Sequence, residues 1–272
     1  MTGLITDPGF DKNHTKEYKL SIQVSLDGFS FSVIHASQKQ LLALEALPLE
    51  LSSTKFLGRH FKGWVRNNEI LQAKYHSTSV IYYPENTTFI PSGIYDHNHQ
   101  DTVGKLVFGN QKDNLFIDNY LPNASGNLVF PVVRNLSEEV QQFFPEQKLI
   151  HPAVILDKEI SRLYDTSKGT MALYFGRKNF TLFIYTGSKL KAITSYNYTN
   201  SGDVVYYTIT SAKKLKLIPE KTTLFMAGDI IQKGEIHESL KRIFNRTIIL
   251  IPPVQYNSNL FKEPLHRFIV LF

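Results

Sequence analysis

Two stretches of the chain alternate apolar and polar residues through three successive segments, and the second stretch repeats the first. From Tyr18 to Ser25, Leu20, Ile22 and Val24 fall on one side and Lys19, Ser21 and Gln23 on the other, the period of a half-buried strand. Asp27-Gly28 supplies a hairpin turn, Phe29, Phe31 and Val33 continue in a second strand, Ala36 to Lys39 turns again, and Gln40 to Leu47 forms a third. The pattern returns in Met171 to Phe175, a turn at Arg177 to Asn179, Phe180 to Thr186, a turn at Gly187-Ser188, and Lys189 to Tyr198. Placing Phe29 on Phe180 sets an offset of 151 residues, which also pairs Ile22 with Leu173, Val24 with Phe175, Phe31 with Leu182 and Val33 with Ile184. A duplicated antiparallel meander excludes an all-helical fold and points to two sheets of related construction.

The segments after each meander strengthen the repeat. After the first, Ser52 or Ser53 caps a helix through about Asn67, and a strand runs from Ser77 to Tyr83 before Pro84. After the second come a helix from Asp203 to Leu215, a strand from Thr222 to Ala227, a helix from Ile230 to Phe244 and a strand from Arg246 to Ile251. Between the copies, Phe89-Ile90-Pro91 reads as extended, Thr102 to Phe108 as a short helix, and Asn114 to Tyr120 and Gly126 to Val133 as strands. Ser137 caps a further helix through Phe144, and Pro152 opens one that reaches about Tyr164. Asp165 to Gly169 marks the boundary, giving two subdomains, 1–166 and 167–272. Pro264 to Phe272 reads as a short closing helix.

Composition narrows the setting. With 42% apolar and 20% charged residues the chain forms a packed core. No apolar run approaches the roughly 20 residues that span a bilayer, and Met1 to Lys19 has no apolar signal core, so the expectation is a cytoplasmic protein with no membrane partner. The absence of cysteine excludes disulfides and thiolate metal sites. Residues 1–150 carry 13 Lys plus Arg against 15 Asp plus Glu, whereas residues 151–272 carry 17 against 9, so all of the net +6 comes from the second half. Lys213, Lys214 and Lys216 there are candidates for contact with nucleic acid, against the simpler role of a solvated basic face.

A meander followed by helix, strand, helix and strand, twice over, resembles the actin-like ATPase fold of the ribonuclease H-like group. The run Lys189-Leu190 through Tyr196-Asn197-Tyr198, Asp203 to Tyr207, Leu215-Lys216-Leu217 and Leu224 to Ile230 is similar to a bacterial family known as a domain of unknown function with that fold. The resemblance implies α/β architecture with two duplicated subdomains, each a mixed sheet opening with a three-stranded meander. It also implies where a nucleotide would sit: active relatives place an Asp and a small polar residue at the first hairpin, a second Asp with glycines at the second, and Gly-Gly after a later strand.

This chain departs from that pattern. The first hairpin reads Ser25-Leu26-Asp27-Gly28-Phe29-Ser30, with the acid in the turn and a bulky Phe29, and the second reads Phe175-Gly176-Arg177-Lys178-Asn179, with no acid. Leu224 to Asp229 retains one glycine, Gly228. The residues left for a nucleotide are Asp27, Gly28, Asp203 and Gly228; their structural roles would be a turn for Asp27-Gly28, a helix cap for Asp203, and a strand-end turn for Gly228, with Asp229 capping the next helix. Without metal-organising carboxylates, phosphoryl transfer loses its charge neutralisation. The expectation is therefore a non-catalytic scaffold or regulatory protein that binds a protein partner and needs no cofactor. The alternatives are a divergent ATP- and magnesium-binding protein and a nucleic-acid binder. Asp96 to Asp101 holds two histidines and two acids but reads as loop, so no metal site is assigned.

Overall fold

The computed structural model describes residues 3–110, 112–163, 169–187 and 189–272. The first sheet takes β1 (Gly3–Thr6), β2 (Tyr18–Ser25), β3 (Gly28–His35), β4 (Leu41–Pro48) and β5 (Ser77–Tyr82), with α1 (Leu57–Arg66) and α2 (Glu69–Gln72) between the last two. A separate small sheet comes next, made of β6 (Thr88–Pro91), β7 (Asn114–Leu121) and β8 (Gly126–Val133), with α3 (Gln100–Phe108) packed on it. Then α4 (Arg134–Phe143), β9 (Leu149–Ile150) and α5 (Pro152–Leu163) complete the first half. The second sheet is built from β10 (Thr170–Phe175), β11 (Asn179–Thr186), β12 (Lys189–Asn197), α6 (Ser201–Lys214), β13 (Thr223–Gly228), α7 (Glu235–Lys241) and β14 (Arg246–Ile249). The sequence boundary at 166 and 167, and the segment Tyr164 to Lys168 around it, lie outside the described residues.

The repeat holds at the level of strand register. In the first meander Leu20 faces Val33, Ile22 faces Phe31 and Val24 faces Phe29; in the second Met171 faces Ile184, Leu173 faces Leu182 and Phe175 faces Phe180. Each position differs by the same 151 residues. Each meander is then extended by parallel strands beyond its first strand, and in the first sheet β1 also adds antiparallel to β4, giving the orders β1-β4-β3-β2-β5-β9 and β12-β11-β10-β13-β14. Parallel strands need crossover helices, which cover the sheet face and explain why β10 and most of β13 are buried on both sides. On one side Met171, Leu173 and Phe175 pack with Val204, Ala212, Leu240 and Phe244 of α6, α7 and the turn after it. On the other, Ala172, Tyr174 and Phe225 join the core of the first half. The two sheets thus share a core across their facing sides.

Two local features tie separate parts of the fold together. The C-terminal 3-10 turn Leu265–Leu271 is buried, with the Ser32 hydroxyl of β3 donating to the Leu271 carbonyl at 2.7 Å and His266 Nε2 bonded to the Ile230 carbonyl at 2.8 Å. The small sheet is tied to the edge of the first by the Asn119 side chain of β7, whose amide donates to the Leu149 carbonyl at 3.1 Å and accepts from His151 N at 2.6 Å. One side-chain amide there stands in for a strand neighbour of β9.

Several sequence expectations are corrected. Ser137 does not cap α4: β8 runs straight into the helix at Arg134, whose amide is taken by the Asp113 carbonyl, leaving Ser137 inside the helix. The helix expected from Ile230 is only α7, because Lys233 takes a left-handed φ of 63° and Gly234, rather than Asp229, is the N-cap. Asp203 is the third residue of α6 rather than its cap, which is Asn200. The Asp96 to Asp101 stretch is not loop but a 3-10 turn, His97–His99, leading into α3. No helix among the described residues is long and apolar enough to cross a membrane.

Candidate functional site

The tips of the two equivalent hairpins meet across a cleft of about 210 Å³, bounded by Ser25, Asp27 and Gly28 on one side and Gly176, Arg177, Asp229 and Arg267 on the other. The repeat explains the meeting: adding 151 to Ser25 and Gly28 gives Gly176 and Asn179, so the same turn of each sheet faces its counterpart. A second cavity of about 330 Å³, reaching Leu49, Glu50 and Lys178, shares Asp27, Arg177 and Tyr83 with the first. Between the two lies a direct bond in which the Asp27 carboxylate accepts from the Arg177 backbone N–H at 2.9 Å. The acid of the first hairpin thereby caps the tip of the second.

The surrounding groups tighten that closure. Gly176 is closely packed: a Cβ there would stand 2.9 Å from the Asp27 carboxylate and 2.4 Å from the Asn179 side-chain oxygen, so those side chains would have to move to admit one. The Arg177 guanidinium turns back to the Leu49 carbonyl at 3.4 Å, with the exposed Glu50 at 4.0 Å. Tyr83 crosses between the sheets: its hydroxyl donates to the Tyr174 carbonyl at 3.3 Å, accepts from Thr181 at 3.3 Å, and its ring meets Tyr174 edge-on at 5.1 Å. Burial pushes the Tyr83 and Tyr174 hydroxyls far above the usual phenol range, and Tyr198, which donates to the Gly176 carbonyl at 3.0 Å, up to about 12. On the far wall Arg267 pairs with Asp229 at 2.7 Å and with Glu263 at 3.3 Å.

The residues singled out from the sequence fall in different places. Asp27 and Gly28 line the cleft. Gly28, at φ 135°, is pressed on β4, where a Cβ would lie 2.2 Å from the Leu47 carbonyl oxygen. Gly228, at φ 85°, is pressed on β10 in the same way, 2.2 Å from the Phe175 oxygen, and the next amide, of Asp229, donates to that oxygen at 2.8 Å. Both close backbone approaches are made to neighbouring strands. Asp203 sits in a capping box, its carboxylate accepting from the Thr199 amide and hydroxyl at 2.8 Å each, bonds that hold its pKa below the usual carboxylate value. His97 and His99 do not converge: His97 pairs with Asp118 at 2.6 Å and His99 with Asp96 at 3.2 Å, and among the described residues no group of three metal-binding side chains occurs. Tyr83 and Arg267 carry no signal in the sequence, because an aromatic after a strand and an Arg in a short terminal turn belong to no motif.

Two meander-led sheets with hairpin tips facing across a cleft define an actin-like ATPase fold. Within that fold class, the chain belongs to the family described as Protein of unknown function (DUF3822), whose model matches residues 7–246. A solved structure similar to it is a Bacteroides thetaiotaomicron protein with an actin-like ATPase fold and unknown function, 18% identical, with a TM-score of 0.79 over 96% of this chain and 98% of that one. The PilM-PilN type IV pilus biogenesis complex is similar at 10% identity and a TM-score of 0.55, covering 94% and 96%. No curated protein matches the chain.

Proposed function

We propose that the protein is a non-catalytic actin-like scaffold or regulatory binding protein, acting in the cytoplasm with a protein partner and without a bound nucleotide. The observation that carries this reading is the bond from the Arg177 amide to Asp27. In the fold's nucleotide-binding members the first-hairpin acid organises a metal ion and the hairpin amides face phosphate. Here the acid and a second-hairpin amide bond to each other instead. Asp203, Gly28 and Gly228 support the same reading, since each is engaged by a helix cap or an adjacent strand. The solved PilM-PilN structure, a complex of two proteins, supports a protein partner for this architecture.

Isothermal titration with ATP and magnesium tests the reading. The expected result is no saturable heat at millimolar nucleotide, unchanged in Asp203→Ala. Micromolar binding with turnover would overturn it in favour of a divergent ATPase.

A further inference from the structure

The second sheet has a cleft end and a far end. Its parallel strands β10 and β13 finish at the cleft with Phe175 and Gly228, while Thr170, Thr223 and Arg246 begin in register at the opposite end. Crossover helices run against the strands they join, so α6 and α7 finish where β13 and β14 start. The topology therefore gathers cations from separate segments at that far end. Lys213 and Lys214 close α6, Lys216 comes just after it, and Lys221 precedes β13. Lys241 closes α7, Arg242 is its C-cap, and Arg246 opens β14. Lys189 and Lys191 begin β12, whose first residue pairs with Thr186, next to the Tyr185 that faces Thr170. All of these side chains are exposed, and among the described residues none is held in an ion pair.

A helix-dipole role accounts for Lys213, Lys214, Lys241 and Arg242. It does not account for the strand and loop cations, nor for Lys216. That residue has φ 57° at the left-handed position of a Schellman closure, with Leu217 N bonded to the Ala212 carbonyl at 2.9 Å and Lys216 N to the Lys213 carbonyl at 3.0 Å. Glycine suits that position; lysine holds a charge there at a backbone cost. The same helix also presents an aromatic surface. Tyr206 lies seven residues before Lys213, two turns and about 10 Å along the same face. It is 63% exposed and held edge-on at 5.3 Å by Tyr207, which is stacked on Tyr196 at 4.3 Å with the planes 10° apart.

We propose that the far end of the second sheet and the exposed face of α6 bind single-stranded nucleic acid, with the lysines tracking the phosphates and Tyr206 stacking on a base. Between α6 and β13 Ile218 alone is apolar and exposed, too little for insertion into a bilayer surface and far short of the apolar centre of a protein interface. The proposal is independent of the cleft reading, because none of these residues lines the cleft.

Fluorescence anisotropy of the full chain with labelled 20-mer oligodeoxythymidine and oligouridine tests it, with vesicles of phosphatidylcholine and phosphatidylserine as a second arm. Binding at 50 mM NaCl is expected to weaken about fiftyfold at 200 mM for about four phosphate contacts. Lys213→Gln/Lys214→Gln/Lys216→Gln lowers the slope of log affinity on log salt by about 2. Tyr206→Ala weakens oligomer binding about tenfold and leaves duplex DNA binding unchanged. Lys216→Gly separates strain from function, raising Tm while weakening binding. Absence of binding at 50 mM salt overturns the proposal, as does binding indifferent to the triple substitution. Tyr206→Ala without effect overturns the single-strand form, and vesicle binding without oligomer binding assigns the surface to anionic lipid instead.

Discussion

Acidification should destabilise this protein through one buried imidazole. His151 is 1% exposed, its ring lying 5.4 Å from Phe130 and 6.4 Å from Tyr83, and its Nδ1 accepts from the Ala153 amide at 3.0 Å at the start of α5. Nδ1 is thus an acceptor and the neutral ring carries its proton on Nε2. Burial lowers its pKa from 6.5 to about 3. Below pH 6.5 the unfolded chain takes up a proton at this site that the folded chain refuses. The stability is therefore complete above pH 6.5 and is lost as pH falls toward 3, by about 1.4 kcal/mol per unit. At pH 5.0, about 1.5 units into that window, the loss is about 2 kcal/mol, or about 0.7 M in a urea midpoint if m is about 3 kcal/mol/M. Urea titrations at pH 7.5 and 5.0 on the parent and on His151→Gln, which keeps an acceptor for Ala153 N but does not titrate, isolate the effect, because contributions from distant groups cancel in the double difference. The parent should lose about 2 kcal/mol more than the variant. Equal losses in both proteins would refute the burial argument.

The same geometry fixes four further outcomes. Gly228→Ala places a Cβ against the Phe175 backbone at a left-handed φ and should cost about 3 kcal/mol, read as a fall in Tm. Asn119→Ala removes both bonds that tie the small sheet to β9 and should cost about 2–3 kcal/mol in urea, with amide exchange rising first in β7 and β9. Asn200→Ala deletes the α6 cap and should cost about 1 kcal/mol by thermal unfolding. Arg267→Ala removes a half-exposed pair with Asp229 and should shift stability by less than about 1 kcal/mol, a difference that shrinks in about 1 M salt.

The meanders were legible because strand alternation and turn residues are local signals. Ile22 with Phe31 and Leu173 with Leu182 pair in the structure as the single offset requires. The helix of Asp203 was legible in extent, yet its cap was misplaced by three residues, because Asn200 and Asp203 both fit the first turn and only the reciprocal bonds of the capping box tell them apart. The expected helix from Ile230 failed for a related reason: apolar spacing continued, but Lys233 adopts a backbone conformation that no propensity marks. Ser137 failed because a tertiary bond, from the Arg134 amide to Asp113, started α4 early.

Sequence alone determined the duplicated strand pattern, most of the helices and strands that follow each meander and the basic excess of the second half, since period, turn chemistry and composition are carried by residues near one another in the chain. How the hairpins engage each other was decided only by the tertiary structure. Asp27 and Arg177 lie 150 residues apart, and neither tip carries a sign that one carboxylate bonds the other's amide. The gathering of Lys189, Lys216 and Arg246 at one end likewise exists only because the β11–β12 hairpin and the two crossover helices all deliver the chain to the same end of the sheet. Contacts between distant segments depend on how whole sheets pack, and that information is spread over the entire core rather than written at the residues that touch.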